Sequence, residues 1–443
     1  MSAHEYDHAH SSHGMLRFLT AGSVDDGKST LIGRILYDSK AVLADQVQSL
    51  ERAKHKRTEA GVLDLSLLTD GLEAEREQGI TIDVAYRYFS TGSRKFIVAD
   101  APGHEQYTRN MVTAASTADA IVVLIDPTRV TIDNGVAELL PQTRRHSAIA
   151  GLLGIRHVTV AINKMDRMGF DEGVFNSIRD AYVELARRLS LPDPVFVPVS
   201  ALEGDNVVEP SERMPWYRGP ALLEHLERLP AGRAGIDGPC RFVVQRVQRV
   251  YGAETAAGSA VDGLRGLQGF VASGTLRVGD AMQVLPAGLA VTVRSISLYE
   301  TGLAQATAGQ SVTVMLNENV DASRGDVLAS GALQPTSARQ LVADICWLDT
   351  NPMNPSKKYW LKLGARTVQA RVQGVDNKLD LAEVQRVAHD QPFTLNEIGQ
   401  LRIALAQPMP CTLFTEDAPL GRFILIDAFS NQTAAAGLIR AAS

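Results

Sequence analysis

Residues Gly22-Ser-Val-Asp-Asp-Gly27-Lys28-Ser29-Thr30 leave little freedom in what the first part of this chain can fold into. The stretch fits G-x-x-x-x-G-K-[ST] and follows an apolar run at 16–21 that reads as a strand. It precedes Leu31, Ile32, Ile35 and Leu36, whose spacing puts them on one face of a helix. Strand, glycine-rich turn and helix in that order make a phosphate cradle. The glycines let backbone N–H groups wrap the anion, the helix N-terminus favours it, and Lys28 bridges its outer oxygens. The Ser29 hydroxyl is placed to ligate Mg²⁺. All nine residues, Gly22, Ser23, Val24, Asp25, Asp26, Gly27, Lys28, Ser29 and Thr30, are assigned to the nucleotide phosphates. An ordinary glycine turn ahead of a helix would need neither Lys nor Ser at those offsets.

Around this turn the chain alternates strand-like runs (16–21, 96–100, 120–126, 158–163, 195–199) with helical patterns up to about residue 229. That alternation predicts an α/β domain over 15–229, with a mostly parallel sheet covered by helices on both faces. The breaker-rich stretch 230–239 reads as a linker. Beyond it, short β-branched runs punctuated by glycine predict two small antiparallel β-barrels at 240–332 and 335–435, with a C-terminal tail at 436–443. Residues 1–14 hold His4, His8, His10 and His13 without an apolar stretch; they read as an unstructured tail, with metal chelation the other reading.

A net charge of −6 over 443 residues argues against a broad nucleic-acid surface. No run approaches the roughly 18 apolar residues of a membrane span, so a soluble cytoplasmic protein is expected. Cys240, Cys346 and Cys411 lack zinc or disulfide spacing and read as buried reduced thiols.

Four further motifs follow the phosphate cradle in an order that lends each of them weight. Asp100-Ala101-Pro102-Gly103-His104 closes the strand at 96–100. Asp100 can hold a magnesium-bound water, Gly103 can offer its N–H to a γ-phosphate, and His104 can address an attacking water. Asn163-Lys164-Met165-Asp166 leaves the next buried strand; an Asp at its fourth position accepts from guanine N1–H and N2, donors that adenine does not offer. Ser200-Ala201-Leu202 follows another strand, and the Ala201 N–H is expected to meet guanine O6. Between cradle and Asp100, Thr81 in Gly79-Ile-Thr-Ile82 can place its hydroxyl on Mg²⁺ and its N–H on the γ-phosphate; taken alone, 80–84 would be an edge strand. The reading is a Mg²⁺-dependent GTPase. His104, Lys28, Thr81 and Gly103 carry its chemistry, and Ser29, Thr81 and Asp100 hold its metal.

With these motifs in hand, one α/β domain followed by two barrels resembles the translational elongation-factor type of GTPase. Long stretches at 70–89 (Asp70-Gly-Leu-Glu-Ala-Glu-Arg-Glu-Gln-Gly-Ile-Thr-Ile…), 100–111 and 142–147 (Gln142-Thr-Arg-Arg-His-Ser147) are similar to one branch, the GTPase subunits of bacterial two-component sulfate adenylyltransferase. The resemblance implies a smaller partner subunit that joins ATP and sulfate into adenosine 5′-phosphosulfate and pyrophosphate. The ATP and sulfate sites would then lie on that partner, and heterodimers could assemble further. It also implies that His104 orients the hydrolytic water between Val24 and Ile80. Departures are Ala101, where Thr is commoner, and the Ala/Gly-rich 251–264 loop. With no second phosphate-cradle motif, a fused kinase is not expected. The alternative is a factor carrying aminoacyl-tRNA, but Arg145 stands where those factors typically have an acidic residue.

Overall fold

The computed structural model describes residues 14–41, 65–68, 83–103, 108–230, 238–249, 265–331 and 334–443. Readings that fall on the histidine tail before residue 14, on Ile80 and Thr81, on His104, on 231–237 of the linker and on the 251–264 loop lie outside these residues. The chain divides into two compact units, Met1–Gly232 with Asp380–Gln385, and Arg233–Leu379 with Arg386–Ser443.

The first unit is built on a six-stranded sheet. Its strands are β1 (Met15–Ala21), β2 (Ala85–Ser90), β3 (Lys95–Asp100), β4 (Ala120–Ile125), β7 (His157–Ile162) and β8 (Val195–Pro198), in spatial order β2-β3-β1-β4-β7-β8. Five run parallel, and only β2 pairs antiparallel, with β3. The unbroken apolar sequence of β4 is explained by burial of all six residues, as a central parallel strand requires. Helices α1 (Lys28–Asp38), α2 (Thr108–Ala115), α3 (Pro141–Leu152), α4 (Glu172–Leu189) and α5 (Leu222–Arg228) alternate with the strands. The predicted face Leu31, Ile32, Ile35 and Leu36 packs with Leu16, Phe18, Phe96, Val98, Val122 and Leu124. Between β4 and α3 lies a small hairpin, β5 (Thr131–Asp133) and β6 (Val136–Glu138), turned at Asn134-Gly135, both at positive φ.

The second unit holds two closed antiparallel barrels. In the first, β9 (Arg241–Arg249), β10 (Arg265–Ser273), β12 (Ala281–Leu285), β13 (Leu289–Leu298), β16 (Ser311–Leu316) and β17 (Val327–Ala329) close in the order β12-β17-β9-β10-β16-β13 and back to β12. In the second, β18 (Thr336–Trp347), β19 (Tyr359–Leu363), β20 (Arg366–Asp380), β22 (Ile398–Cys411), β23 (Arg422–Asp427) and β24 (Thr433–Ala442) close as β19-β23-β24-β18-β22-β20 and back to β19. The tail expected from residue 436 is corrected here, because those residues are the body of β24, hydrogen-bonded to β18 on one side and β23 on the other. The barrels were expected as separate domains, yet they form one unit. Val243, Ala272 and Val327 of the first barrel pack into the core of the second. The three cysteines are buried and unbridged.

Two ion pairs cross between the barrels, Arg241 to Asp417 at 2.9 Å and Arg366 to Asp326 at 2.8 Å. The first is desolvated on both sides, at 4% and 2% side-chain exposure. Removing one partner of such a pair strands the other charge. Arg241→Met is therefore expected to lower stability by about 3–5 kcal/mol in urea unfolding followed by intrinsic fluorescence. Adding Asp417→Leu should recover most of that loss; a single variant as stable as the parent would show that the pair contributes nothing.

Candidate nucleotide-binding site

The described parts of the phosphate-cradle, Asp100–Gly103, Asn163–Asp166 and Ser200–Leu202 motifs all emerge at one edge of the sheet. Strands β1, β3, β4, β7 and β8 are parallel, so their carboxyl ends lie together. From those ends come Gly22, Asp100, Asp126, Asn163 and Ser200. Strand β1 sits between β3 and β4, so the chain order reverses direction beside it, and the crevice outside such a switch point is where open α/β sheets bind ligands.

At the phosphate end, Gly27 caps α1 with φ +90°, and a Cβ there would lie 2.4 Å from Asn163 Nδ2. Only glycine fits. Lys28 is buried, and its ammonium donates to Gly22 O (3.1 Å) and Ser23 O (2.8 Å), pinning the turn into a loop. Burial holds its pKa below the ordinary lysine value, against the pull of Asp100 and Asp26. Ser29 Oγ donates to Asp100 Oδ2 (2.8 Å), while Thr20 Oγ1 donates to Asp100 Oδ1 (3.2 Å). A hydroxyl and a buried carboxylate held together form the hard-oxygen donor set that Mg²⁺ accepts, so these residues fit the ion. Ala101 and Pro102 are buried behind them, and Gly103 passes against the turn: a Cβ on it would meet Gly22 O and Lys28 Nζ at 2.7 Å.

Within the turn, Asp25 adopts φ +67°. Asp26 is fully buried and its Oδ2 accepts the Ser23 N–H at 2.5 Å. Burial pushes its carboxyl up to about 6, with Lys28 pulling the other way. His146 of α3, from the 142–147 motif, is also buried; desolvation and then Lys28 hold its pKa at about 3, so the ring stays neutral.

At the base end, Asn163 ties three loops together. Its Nδ2 donates to Asp26 O (2.8 Å), and its Oδ1 accepts the Ala201 N–H (2.9 Å). That second bond engages the Ala201 N–H, the group the sequence reading sets toward guanine O6, and so fixes its loop against Asn163. Asp166 Oδ1 accepts from Ser200 Oγ (2.7 Å), which fixes the carboxylate. Lys164 adopts φ +57° and its ammonium meets Asp126 Oδ2 at 2.6 Å. Around these side chains lies a 490 Å³ cavity, also lined by Gly27, Thr30, Arg167, Ala201 and Leu202. This is the size and chemistry of a nucleoside site.

Three contributors escaped the sequence reading. Arg34 of α1 donates to Ala201 O (3.1 Å) and to Leu202 O, and so orients the 200–202 loop. Asp126 anchors Lys164. Arg129 donates to Val24 O. None lies within a recognisable motif, since each acts through a carbonyl or a partner brought up by the fold.

A parallel sheet with a phosphate cradle, a buried serine–aspartate pair and an asparagine–aspartate base site at one edge defines a P-loop GTP-binding domain of the elongation-factor type. In agreement, residues 13–231 match the family model "Elongation factor Tu GTP binding domain", and residues 340–440 match "GTP-eEF1A C-terminal domain-like". Similar over nearly its whole length are proteins named "Sulfate adenylyltransferase subunit 1". That of Laribacter hongkongensis (strain HLHK9) is 46% identical over 99% of this chain and 88% of the relative. That of Sodalis glossinidius (strain morsitans) is 46% identical over 98% and 88%. That of Yersinia pseudotuberculosis serotype O:1b (strain IP 31758) is 45% identical over 99% and 88%. The chain belongs to the sulfate adenylyltransferase subunit 1 family. It thus carries a GTP-binding domain, and a family of subunits numbered 1 implies a partner subunit. Among the described residues no helix is long and apolar enough to cross a membrane.

Proposed function

We propose that this chain is the GTP-hydrolysing subunit of a sulfate adenylyltransferase. In this role, GTP turnover drives the joining of ATP and sulfate into adenosine 5′-phosphosulfate and pyrophosphate on a smaller partner subunit in the cytoplasm. One observation carries the reading: cradle, Asp100–Gly103 and Asn163–Asp166 converge on one sheet edge, in a chain of the subunit 1 family. Arg145 and family membership favour this role over the carriage of aminoacyl-tRNA.

In this reading the Gly22–Thr30 turn holds the phosphates, and Asp166 with Ser200, Ala201 and Leu202 reads guanine. Lys164 covers the base from its Asp126 anchor. Ser29 and Asp100, with Thr81 from the segment between the cradle and Asp100, would hold Mg²⁺, which when bound would neutralise phosphate charge. Gly103 meets the γ-phosphate, and His104 orients water. Two units, one carrying the GTP site and one built of barrels, suit a chain whose γ-phosphate state is read by a partner. Heterodimers of this kind could assemble further.

The test reconstitutes the chain with its small subunit and follows phosphate release and phosphosulfate formation together. Partner binding should accelerate GTP hydrolysis, and ATP with sulfate should accelerate it further. Thr81→Ala should keep nucleotide bound while phosphosulfate yield falls toward its GTP-free level. Equal product with GDP, GTP and a non-hydrolysable analogue would make this chain a scaffold.

A further inference from the structure

Arg129 is a cation at the phosphate end that none of the nucleotide motifs contains. It ends a short 3-10 turn after β4, Pro127–Arg129, fixed by Asp126, whose Oδ1 accepts the Thr128 N–H (2.9 Å) and hydroxyl (2.6 Å). The guanidinium donates to Val24 O and stands 3.7 Å from Asp26 Oδ1. With Ser23, Val24, Gly103 and Gln142 it lines a 290 Å³ cavity. Two of those neighbours matter most. Gly103 is the residue assigned to the γ-phosphate, and it passes so near Lys28 that a Cβ on it would fall 2.7 Å from Nζ. Val24 is the position that the elongation-factor resemblance sets beside the attacking water. The Arg129 side chain is 44% exposed, so it can leave the Val24 carbonyl without unpacking the core.

We propose that Arg129 is a catalytic arginine supplied in cis, which takes up the charge that builds on the γ-phosphate oxygens during hydrolysis. This rests on the GTP-hydrolysis reading above. In the step it serves, the water oxygen bonds to the γ-phosphorus. The bond from that phosphorus to the β,γ-bridging oxygen breaks, and its electron pair stays with GDP. Both water protons leave with the phosphate as dihydrogen phosphate, and Arg129 exchanges none. Its planar fork matches two phosphate oxygens at once, in a site where preorganised positive charge acts on the transition state more than on bound GTP.

The competing account is a brace that only neutralises buried Asp26. Single-turnover GTP hydrolysis and binding of GDP, with and without aluminium fluoride, separate the two when measured on the chain alone and with its small subunit. Arg129→Ala should hydrolyse GTP on the order of 100-fold more slowly while binding GDP and GTP within about threefold of wild type. It should also lose the added affinity that fluoroaluminate gives GDP, and Arg129→Lys should not restore it. A wild-type rate in Arg129→Ala would overturn the proposal. So would a rate restored by adding Asp26→Asn, because a brace is dispensable once the buried charge is gone. If wild-type protein hydrolysed no GTP in either setting, the reading beneath the proposal would fall first.

Discussion

Exchanging Asp166 for asparagine is expected to weaken GTP binding by about 10²–10⁴-fold and to make xanthosine triphosphate the preferred nucleotide. The carboxylate is held by Ser200 Oγ at 2.7 Å on a loop that Asn163 ties to the phosphate turn, so its direction is set before any base arrives. Guanine offers it two donors, N1–H and the N2 amine. Hydrogen bonds to a charged acceptor contribute roughly 1.5–3 kcal/mol each, and two of them give the range stated. An amide keeps the shape but turns one acceptor into a donor. The donor opposes the guanine amine and suits the C2 carbonyl of xanthine, while the Ser200 hydroxyl can rotate to keep its own bond. Competition titration with ATP, GTP and xanthosine triphosphate reads all three affinities. A variant that keeps its preference for GTP, or a wild-type protein that takes ATP as readily as GTP, would mean that the base is read elsewhere.

The same residues show what the sequence makes visible and what it hides. The sheet of the first unit was legible because parallel strands buried on both faces must be continuous apolar runs; β4 is one. The gathering of the motifs at one sheet edge was legible because phosphate and base chemistry demand particular residues at fixed offsets from strand ends. The hairpin of β5 and β6 was missed although its signal is present, an Asn134-Gly135 turn between two short β-prone runs. Strand β24 was missed for a different reason. Thr433-Ala-Ala-Ala-Gly-Leu lacks the β-branched bulk of a strand, and the space explains it: a Cβ on Gly437 would fall 2.4 Å from the Phe423 ring of the neighbouring strand β23. Small residues are there because a neighbour supplies the bulk, and a single strand's composition does not report its neighbour. Arg34 and Arg129 were hidden likewise, since their partners are backbone carbonyls 167 and 105 residues away.

Replacing Gly103 with alanine should slow GTP hydrolysis by about 10³-fold while GDP affinity changes by no more than about fivefold. The added methyl would fall 2.7 Å from Gly22 O and from Lys28 Nζ, and 2.9 Å from the Ser23 carbonyl carbon. Two of these three are backbone, and the third is an ammonium already donating to Gly22 O and Ser23 O. The phosphate turn is held in turn by Asn163 through Asp26 O, so the turn resists and the 101–103 segment must retreat. That retreat would carry the Gly103 N–H away from the place proposed for the γ-phosphate. Losing one preorganised donor to a developing oxyanion costs about 10²–10³ in rate, and a misplacement of about 1 Å costs on the order of 10². GDP has no γ-phosphate to lose, and its β-phosphate still meets the turn and Lys28, so its binding is largely spared. Single-turnover hydrolysis beside GDP titration separates the two effects. A Gly103→Ala protein that hydrolyses GTP normally would remove Gly103 from the γ-phosphate site, and one that loses GDP and GTP alike would show that the methyl had displaced the cradle itself.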